Sequence, residues 1–278
     1  MKFIAFCDLD GTLIKRHSYE VSKLNVEAIN LFTELNNYFV IATGRFIYRV
    51  FPLLDKINEQ KENVNFIISL VGSYIYDVSK KQTIYMKTIE EELFSNLKEI
   101  IIKNKIVALV YSQESFSLKK AFGFNLKNKK FFLKLTGNMN AQFANENTII
   151  TKPLKIIIPF VLQKKGRYLK NLFDKYQDQV KIILQRNYIE IVQKDVNKGQ
   201  AISFLLKYLN INEQDYTTVG IGDSENDLDM FNKTKRNFIV NKDPEKSRLN
   251  KFNYPIINNS DFNAVSKILY SLIHEQGK

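Results

Sequence analysis

The first residues that could do chemistry are two aspartates near the start of the chain. The apolar run Phe3–Cys7 reads as a buried strand and leads into Asp8 and Asp10. Because side chains alternate along a strand, both carboxylates are expected on one face at its end. Close like charges raise each other's pKa unless a cation lies between them, so the pair indicates a metal site or a nucleophile with an acid/base partner. The alternative is an ordinary Asp-Gly turn, which the pair taken alone favours.

Two further polar sites follow predicted strands or begin helices. Thr43 and Gly44 follow the strand Tyr38–Ala42. A hydroxyl group and backbone amides at a helix start suit a phosphate oxygen, although Thr43 could simply cap the helix. Lys198 lies in the first turn of a predicted helix, where the helix dipole disfavours a cation. A bound anion would explain it, and the alternative is an exposed lysine without a role.

An acidic cluster follows a β-branched strand near the C-terminal end. Two glycines precede Asp223, and Asp227 falls in the first helical turn that follows. A hard cation such as Mg²⁺ requires oxygen ligands of this kind. The alternative is a helix start, because Ser224 and Asp227 match a capping box and acidic residues favour helix N-termini.

Alternating strands and helices are predicted to position these sites. Strands are expected at Phe3–Leu9, Tyr38–Ala42, Asn65–Leu70, Thr217–Ile221 and Asn237–Val240, and helices at Lys23–Asn36, Phe46–Glu59, Lys198–Leu209, Ser224–Asn232 and Asp261–His274. Short strands with long connections favour a parallel sheet with helices on both faces. Because ligands bind beyond the carboxyl ends of such strands, the polar sites could converge there.

The middle of the chain has a different pattern. Strands are expected at Gln82–Met86, Val107–Tyr111, Leu154–Phe160, Val180–Leu184 and Tyr188–Val192, with helices at Glu90–Lys103 and Lys165–Tyr176. This mixture predicts an α+β insert, in which the stretch Lys119–Thr151 follows no clear pattern. We therefore expect a discontinuous core of residues 1–76 and 197–278, and an inserted cap of residues 77–196.

Composition limits the classes of protein that the chain can represent. One cysteine excludes a disulfide framework and a Cys-x-x-Cys metal site, and it fits a reducing compartment, so a cytoplasmic location is expected. No apolar run is long enough for a signal peptide or a membrane span. The net charge of +12 comes from lysines spread along the chain, with clusters only at 127–130 and 164–167. A solvated basic surface explains this better than specific nucleic-acid binding.

These candidate residues belong to four short motifs. In chain order the motifs are Asp8-Leu9-Asp10-Gly11-Thr12-Leu13, Ala42-Thr43-Gly44-Arg45, Asn197-Lys198-Gly199 and Gly222-Asp223-Ser224-Glu225-Asn226-Asp227. This set resembles the four motifs of the haloacid dehalogenase superfamily, and in particular its Cof-type phosphatase branch. The resemblance spans the chain. It implies an α/β fold with a Rossmann-like parallel-sheet core and an inserted α+β cap of type IIB.

The resemblance implies a role for each acidic residue. Asp8 would be the nucleophile that attacks phosphorus, and Asp10 would protonate the leaving group and then activate water. The Asp8 carboxylate, the backbone carbonyl of Asp10 and Asp223 would hold Mg²⁺. Asp227 would support the metal shell or orient Lys198.

The resemblance also implies the residues that bind the phosphoryl group. Thr43, Gly44 and Lys198 would contact it, and Asn226 would lie near it. Arg45 has no role by this argument. The chain departs from the branch at Val71-Gly72-Ser73, where Asn-Gly-Ala is frequent, so an asparagine that would face the site is missing.

The function expected from the sequence is Mg²⁺-dependent hydrolysis of small phosphate monoesters, with sugar phosphates as the leading substrate class. A phosphomutase or a specialised sugar-phosphate phosphatase is the alternative within enzymes, and a phospho-ligand sensor without turnover is the alternative from another class. The expected partner is a small phosphorylated metabolite, with no membrane and no specific nucleic acid. A monomer or a small homo-oligomer is expected.

Overall fold

A computed structural model describes residues 2–277 except 17, 60–62, 114–118, 127–139, 161–165, 186, 213, 244, 246 and 248. In chain order its elements are β1 (Lys2–Cys7), α1 (Lys23–Glu34), β2 (Tyr38–Ala42), α2 (Phe51–Ile57), β3 (Val64–Ser69), β4 (Tyr74–Asp77), β5 (Gln82–Met86), α3 (Glu91–Lys103), β6 (Ala108–Gln113), β7 (Lys119–Phe124), β8 (Asn140–Ala144), β9 (Pro153–Pro159), α4 (Gly166–Asn171), β10 (Val180–Leu184), β11 (Tyr188–Gln193), α5 (Lys198–Tyr208), β12 (Tyr216–Gly222), α6 (Leu228–Phe231), β13 (Arg236–Asn241), β14 (Ile256–Asn258) and α7 (Ala264–Gln276). The basic run 127–130 and residues 164 and 165 lie outside the described residues.

The chain forms two compact units, one of Met1–Tyr85 with Asn197–Lys278 and one of Met86–Val196. We call the first the core unit and the second the insert unit. The core unit contains an eight-stranded sheet in the order β14-β13-β12-β1-β2-β3-β4-β5. Every neighbouring pair from β14 to β3 is parallel, and β4 runs antiparallel to β3. The expected α/β fold with a parallel sheet is confirmed.

Helices cover both faces of the central strand β1. On one face, the Phe3 ring lies 6.4 Å from the Phe32 ring of α1. On the other face, Ile4 packs in a cluster that includes Ile202 and Leu205 of α5. Burial on both faces explains why β1 is apolar without alternation, as central parallel strands are.

The register aligns the carboxyl ends of three strands. Cys7 at the end of β1 pairs with Ile41 of β2 and with Ile221 of β12. Residues that follow these strands by one or two positions therefore leave the sheet at the same edge. Asp8, Thr43 and Asp223 are such residues.

The insert unit has a six-stranded sheet in the order β10-β11-β9-β6-β7-β8. Its strands are antiparallel except for β7 and β8, which are parallel. Its core includes Leu97 of α3 and Leu169 of α4, packed with Ile156 of β9. Thus the stretch 119–151, which has no clear sequence pattern, contributes β7 and β8. Residues 77–85, expected in the insert, belong to the core unit because β4 and β5 continue the core sheet.

Three predicted helices each divide into a 3₁₀ helix and a short α-helix. Phe46–Glu59 divides into a 3₁₀ helix, Ile47–Arg49, and α2, which has a proline in its first turn. Ser224–Asn232 divides into a 3₁₀ helix, Glu225–Asp227, and α6. Lys165–Tyr176 divides into α4 and a 3₁₀ helix, Asp174–Tyr176, and Lys165 itself lies outside the described residues.

Among the described residues, no helix combines the length and the apolar character that crossing a membrane requires.

Candidate active site

The centre of the site is a buried ion network at the carboxyl end of β1. The Nζ atom of Lys198 lies 2.5 Å from Oδ1 of Asp8 and 2.6 Å from Oδ1 of Asp227. Asp8 and Lys198 are 190 residues apart in the chain. All three side chains are buried, so one ammonium group is shared by two carboxylates away from water.

Lys198 reaches this network because α5 begins at it. The side chain of Asn197 caps the helix by accepting a hydrogen bond from the backbone N of Gln200, at 2.8 Å. Lys198 is only 1% exposed, so the alternative of an exposed lysine without a role is wrong. The two carboxylates supply the anionic partner that the helix dipole argument requires.

Asp227 is held by the loop that follows β12. Its Oδ2 atom accepts hydrogen bonds from the backbone N atoms of Asp223 and Ser224, both at 3.1 Å. The predicted capping box of Ser224 and Asp227 is present. A Cβ atom on Gly222 would lie 2.5 Å from Cγ of Asp227, so this close approach requires glycine.

Burial and charge perturb the pKa values of the network. Burial, and then the neighbouring Asp227 and Asp223, raise the pKa of Asp8 to about 8 against the opposing effect of Lys198. Burial and Asp227 also raise the pKa of Asp223. Burial lowers the pKa of Lys198, but the two carboxylates outweigh it and raise that pKa above its ordinary value. The site therefore holds more carboxylate charge than its lysine neutralises.

Asp8, Asp223 and Asp227 could together hold a metal ion. Each offers one carboxylate oxygen, and these oxygens lie within 4.8 Å of one another. An all-oxygen donor set suits a hard cation such as Mg²⁺, and an added positive charge would offset the carboxylate excess. The described residues therefore fit the expected cation.

Asp223 is also bound by an arginine. Nη2 of Arg16 lies 2.7 Å from Oδ2 of Asp223, and Oγ of Ser224 donates to Oδ1 at 3.1 Å. Arg16 is 62% exposed, whereas Asp223 is 13% exposed. A Cβ atom on Gly11, whose φ is +97°, would overlap Oδ2 of Asp223, so Gly11 allows the first motif to approach the last.

Asp10 belongs to a separate ion pair. Its carboxylate accepts hydrogen bonds from Nε and Nη2 of Arg45, at 2.7 and 2.6 Å. β1 ends at Cys7, the backbone N of Asp8 still donates to Ile221 O of β12 at 2.8 Å, and the chain turns from Leu9 onward, so Asp10 lies in the turn and has a different partner from Asp8. The turn is closed by hydrogen bonds from Gly11 N to Ile14 O and from Ile14 N to Leu9 O.

The remaining predicted residues lie around this centre. Thr43 is buried after β2, and its hydroxyl accepts a hydrogen bond from the backbone N of Arg45 at 3.1 Å. Thr43 does not cap a helix, because the next helix begins at Ile47 with Phe46 as its N-cap. Gly44 is partly buried. Asn226 is exposed, and Oγ of Ser224 lies 2.6 Å from its Oδ1.

The departure at Val71-Gly72-Ser73 forms a strained loop after β3. Leu70, Val71 and Gly72 have φ values of 51°, 62° and 108°, and a left-handed conformation is a genuine outlier for a β-branched residue. The backbone N of Val71 donates to the Thr43 carbonyl at 3.1 Å, and that of Leu70 donates to the Arg45 carbonyl at 3.0 Å. The strained loop therefore holds the Thr43–Arg45 segment.

Gly72→Ala is expected to disrupt the site. An added Cβ atom would overlap the backbone carbonyl of Asn197, which precedes Lys198, and the φ of +108° strains any L-residue. We expect a loss of at least about 3 kcal/mol in unfolding free energy, measured in urea, with a large loss of activity. Gly277→Ala is the control, because its φ is −83° and its nearest atoms are 3.9 Å away. Equal stability of the two variants would contradict the prediction.

Sequence reasoning missed the two arginines of the site. The four motifs assign no role to Arg45, and Arg16 lies outside them. The signal for Arg45 was its place directly after Thr43 and Gly44, at the same sheet edge as Asp10. Arg16 lies 207 residues from Asp223, and no local pattern indicates that pair.

The fold and the site together define an α/β enzyme with a carboxylate-rich centre at the carboxyl edge of a parallel sheet. A family model described as haloacid dehalogenase-like hydrolase matches residues 5–269. The chain therefore belongs to this family, as the resemblance of its motifs implied.

Individual relatives cover almost the whole chain. A Mycoplasma genitalium protein that is provisionally named a phosphatase is 28% identical over 254 residues, 87% of each chain. The crystal structure of a Thermotoga maritima protein matches with a TM-score of 0.78 and 23% identity, over 98% of this chain and 97% of that one. The structure of a subclass IIB sugar phosphatase matches with a TM-score of 0.72 and 16% identity, over 97% of this chain and 98% of that one. These structures share the fold.

Proposed function

We propose that this hydrolase is a Mg²⁺-dependent phosphatase of small phosphate monoesters that acts through an aspartyl-phosphate on Asp8. The observation that carries the proposal is the buried network in which Lys198 contacts both Asp8 and Asp227. It offers a nucleophilic carboxylate, a fixed cation for phosphoryl oxygens and the oxygen ligands for a metal ion. The phosphatase names of the relatives support the same reaction.

In the proposed first step, a carboxylate oxygen of Asp8 attacks phosphorus and the ester P–O bond breaks. Asp10 gives its proton to the departing alkoxide. In the second step, Asp10 takes a proton from water, whose oxygen attacks the aspartyl-phosphate and releases inorganic phosphate and Asp8. The carboxylates of Asp8 and Asp223 and the backbone carbonyl of Asp10 would hold Mg²⁺, with Asp227 in support. When bound, the ion supplies positive charge that shields nucleophile from phosphate.

The phosphoryl group would bind through Lys198, the hydroxyl of Thr43 and the backbone of Gly44, with Asn226 nearby. We assign the choice of substrate to the insert unit as a specificity cap, because all the charged side chains of the candidate site belong to the core unit. Sugar phosphates are the proposed substrate class. The single cysteine, Cys7, is free and buried, which fits the proposed cytoplasmic location.

Release of inorganic phosphate from an aryl phosphate and from a panel of phosphorylated metabolites tests this function. The expected result is multiple turnovers that require Mg²⁺, with sugar phosphates among the best substrates. Movement of the phosphoryl group within a sugar phosphate without release would instead identify a phosphomutase. Saturable binding without either reaction would identify a sensor and contradict the proposal.

Removal of the metal is expected to abolish the activity. EDTA should lower turnover to the background of the uncatalysed reaction, and added Mg²⁺ should restore it. Ca²⁺ should restore little, because its larger coordination shell invites both Asp8 oxygens to ligate. Asp223→Asn should weaken Mg²⁺ binding measured by calorimetry, whereas Asp174→Asn, which removes a surface carboxylate paired with Lys170, should not. Full activity in EDTA without bound metal would contradict the metal requirement.

A further inference from the structure

The side chain of Arg45 donates two parallel hydrogen bonds to the carboxylate of Asp10. Nε lies 2.7 Å from Oδ2 and Nη2 lies 2.6 Å from Oδ1. A guanidinium fork of this kind fixes the plane of a carboxylate as well as its distance, which a lysine cannot do. Arg45 therefore contacts both oxygens of the Asp10 carboxylate.

Arg45 is itself held rigidly. Its backbone N donates to the Thr43 hydroxyl, and its carbonyl accepts from the backbone N of Leu70 in the strained loop. Its Nη2 atom also donates to the carbonyl of Ser18 at 3.0 Å, and the guanidinium carbon lies 5.0 Å from the centre of the Tyr19 ring. Only 10% of the side chain is exposed. A group fixed at so many points can hold another side chain in one position.

One end of this guanidinium group is not satisfied. Nη1 of Arg45 is buried, and it has no hydrogen-bond partner among the residues that the structure describes. A buried donor without a partner costs free energy, and in native proteins such a group calls for an explanation.

We infer that Arg45 is the positioning residue of Asp10. It holds the carboxylate in the orientation from which Asp10 delivers a proton to the leaving oxygen and later takes one from water. The inference rests on the proposed function, because it concerns the acid/base residue of that reaction. Arg45 acts through Asp10, and no contact of Arg45 with the phosphoryl group is required.

The consequence can be measured with esters that differ in their need for an acid. A poor leaving group, such as the alkoxide of an alkyl phosphate, requires protonation, whereas dinitrophenolate leaves without it. The ratio kcat/KM reports only the steps up to release of the alcohol, so later hydrolysis of the aspartyl-phosphate does not obscure the comparison. A positioning role therefore predicts losses that depend on the leaving group.

We expect Arg45→Ala to lower kcat/KM for the best alkyl phosphate of the panel by about a hundredfold, the scale of general acid catalysis. The loss for 2,4-dinitrophenyl phosphate should be several-fold at most. Arg45→Lys, which keeps the charge but not the fork, should fall between the wild type and Arg45→Ala. Arg236→Ala is the matched control, because Arg236 makes a similar two-point pair with Glu275 at the start of β13, the opposite end of the strands.

A double-mutant cycle shows whether Arg45 acts through Asp10. In an Asp10→Asn background, Arg45→Ala should cause little further loss of kcat/KM for the alkyl phosphate, because the acid/base carboxylate that Arg45 positions is already absent. An equally large loss in both backgrounds would overturn the inference, as would equal losses for the alkyl and dinitrophenyl esters. Thermal melting identifies variants that do not fold. If Arg45→Ala is among them, Arg45→Lys carries the comparison.

Failure of the inference can be separated from failure of the proposed function. If the wild-type protein releases phosphate but the Arg45 variants show no leaving-group dependence, the function stands and the inference fails. If the wild type releases no phosphate, the function fails, and crystal structures of the wild type and Arg45→Ala test the geometry. An Asp10 carboxylate that keeps its orientation without Arg45 would then overturn the inference, and a reoriented one would support it.

Discussion

Asp8→Asn is expected to reduce phosphate release by at least about a thousandfold, the scale of losing a nucleophile. The amide keeps the shape of the side chain but cannot attack phosphorus. The variant should nevertheless fold. Because burial and the neighbouring carboxylates raise the pKa of Asp8 to about 8, the fold disfavours the ionised form, and a neutral side chain removes that penalty. At neutral pH we therefore expect a melting temperature no lower than that of the wild type.

Asp10→Asn separates the nucleophile from the acid/base residue. With an aryl phosphate, this variant should still transfer phosphate to Asp8, because an aryl oxide needs little protonation, and it should hydrolyse the aspartyl-phosphate slowly. The intermediate should then accumulate and be detectable by mass spectrometry of the quenched enzyme. Near wild-type turnover by Asp8→Asn would show that the covalent mechanism is wrong.

Lys198→Met should affect both stability and activity. Removal of the ammonium group leaves the carboxylates of Asp8 and Asp227 buried without their shared partner. Breaking a buried ion pair in this way costs about 3 to 5 kcal/mol. We expect a loss of this order in the unfolding free energy, measured in urea with EDTA present. Activity should fall by at least about a hundredfold, because the Lys198 ammonium group is no longer there to bind the phosphoryl oxygens.

Lys155→Met is the matched control for this loss. Lys155 is also buried and lies 2.6 Å from Glu190, but it belongs to the insert unit. The Lys155→Met variant should therefore lose a similar amount of unfolding free energy, while it still hydrolyses a small aryl phosphate. If Lys198→Met left both stability and turnover unchanged, the buried network could not be the centre of the site.

The sequence by itself determined the features that depend on neighbouring residues. The end of the apolar run of β1, the start of α5 at Lys198 and the capping box of Ser224 and Asp227 all follow from patterns within a few residues. Alternation and capping reflect hydrogen bonds of the local backbone, so they can be recognised without the fold. The ordered motifs then carried the resemblance to the family.

Only the tertiary structure decided which charges meet. Asp8 pairs with Lys198 across 190 residues, whereas Asp10, two positions further on, pairs with Arg45. The strand order and register bring these residues to one edge, and the turn after β1 gives the two aspartates different partners. Long-range order also placed β5 in the core sheet, although its local pattern resembles the strands of the insert. Such pairings depend on how distant segments pack, which local periodicity does not encode.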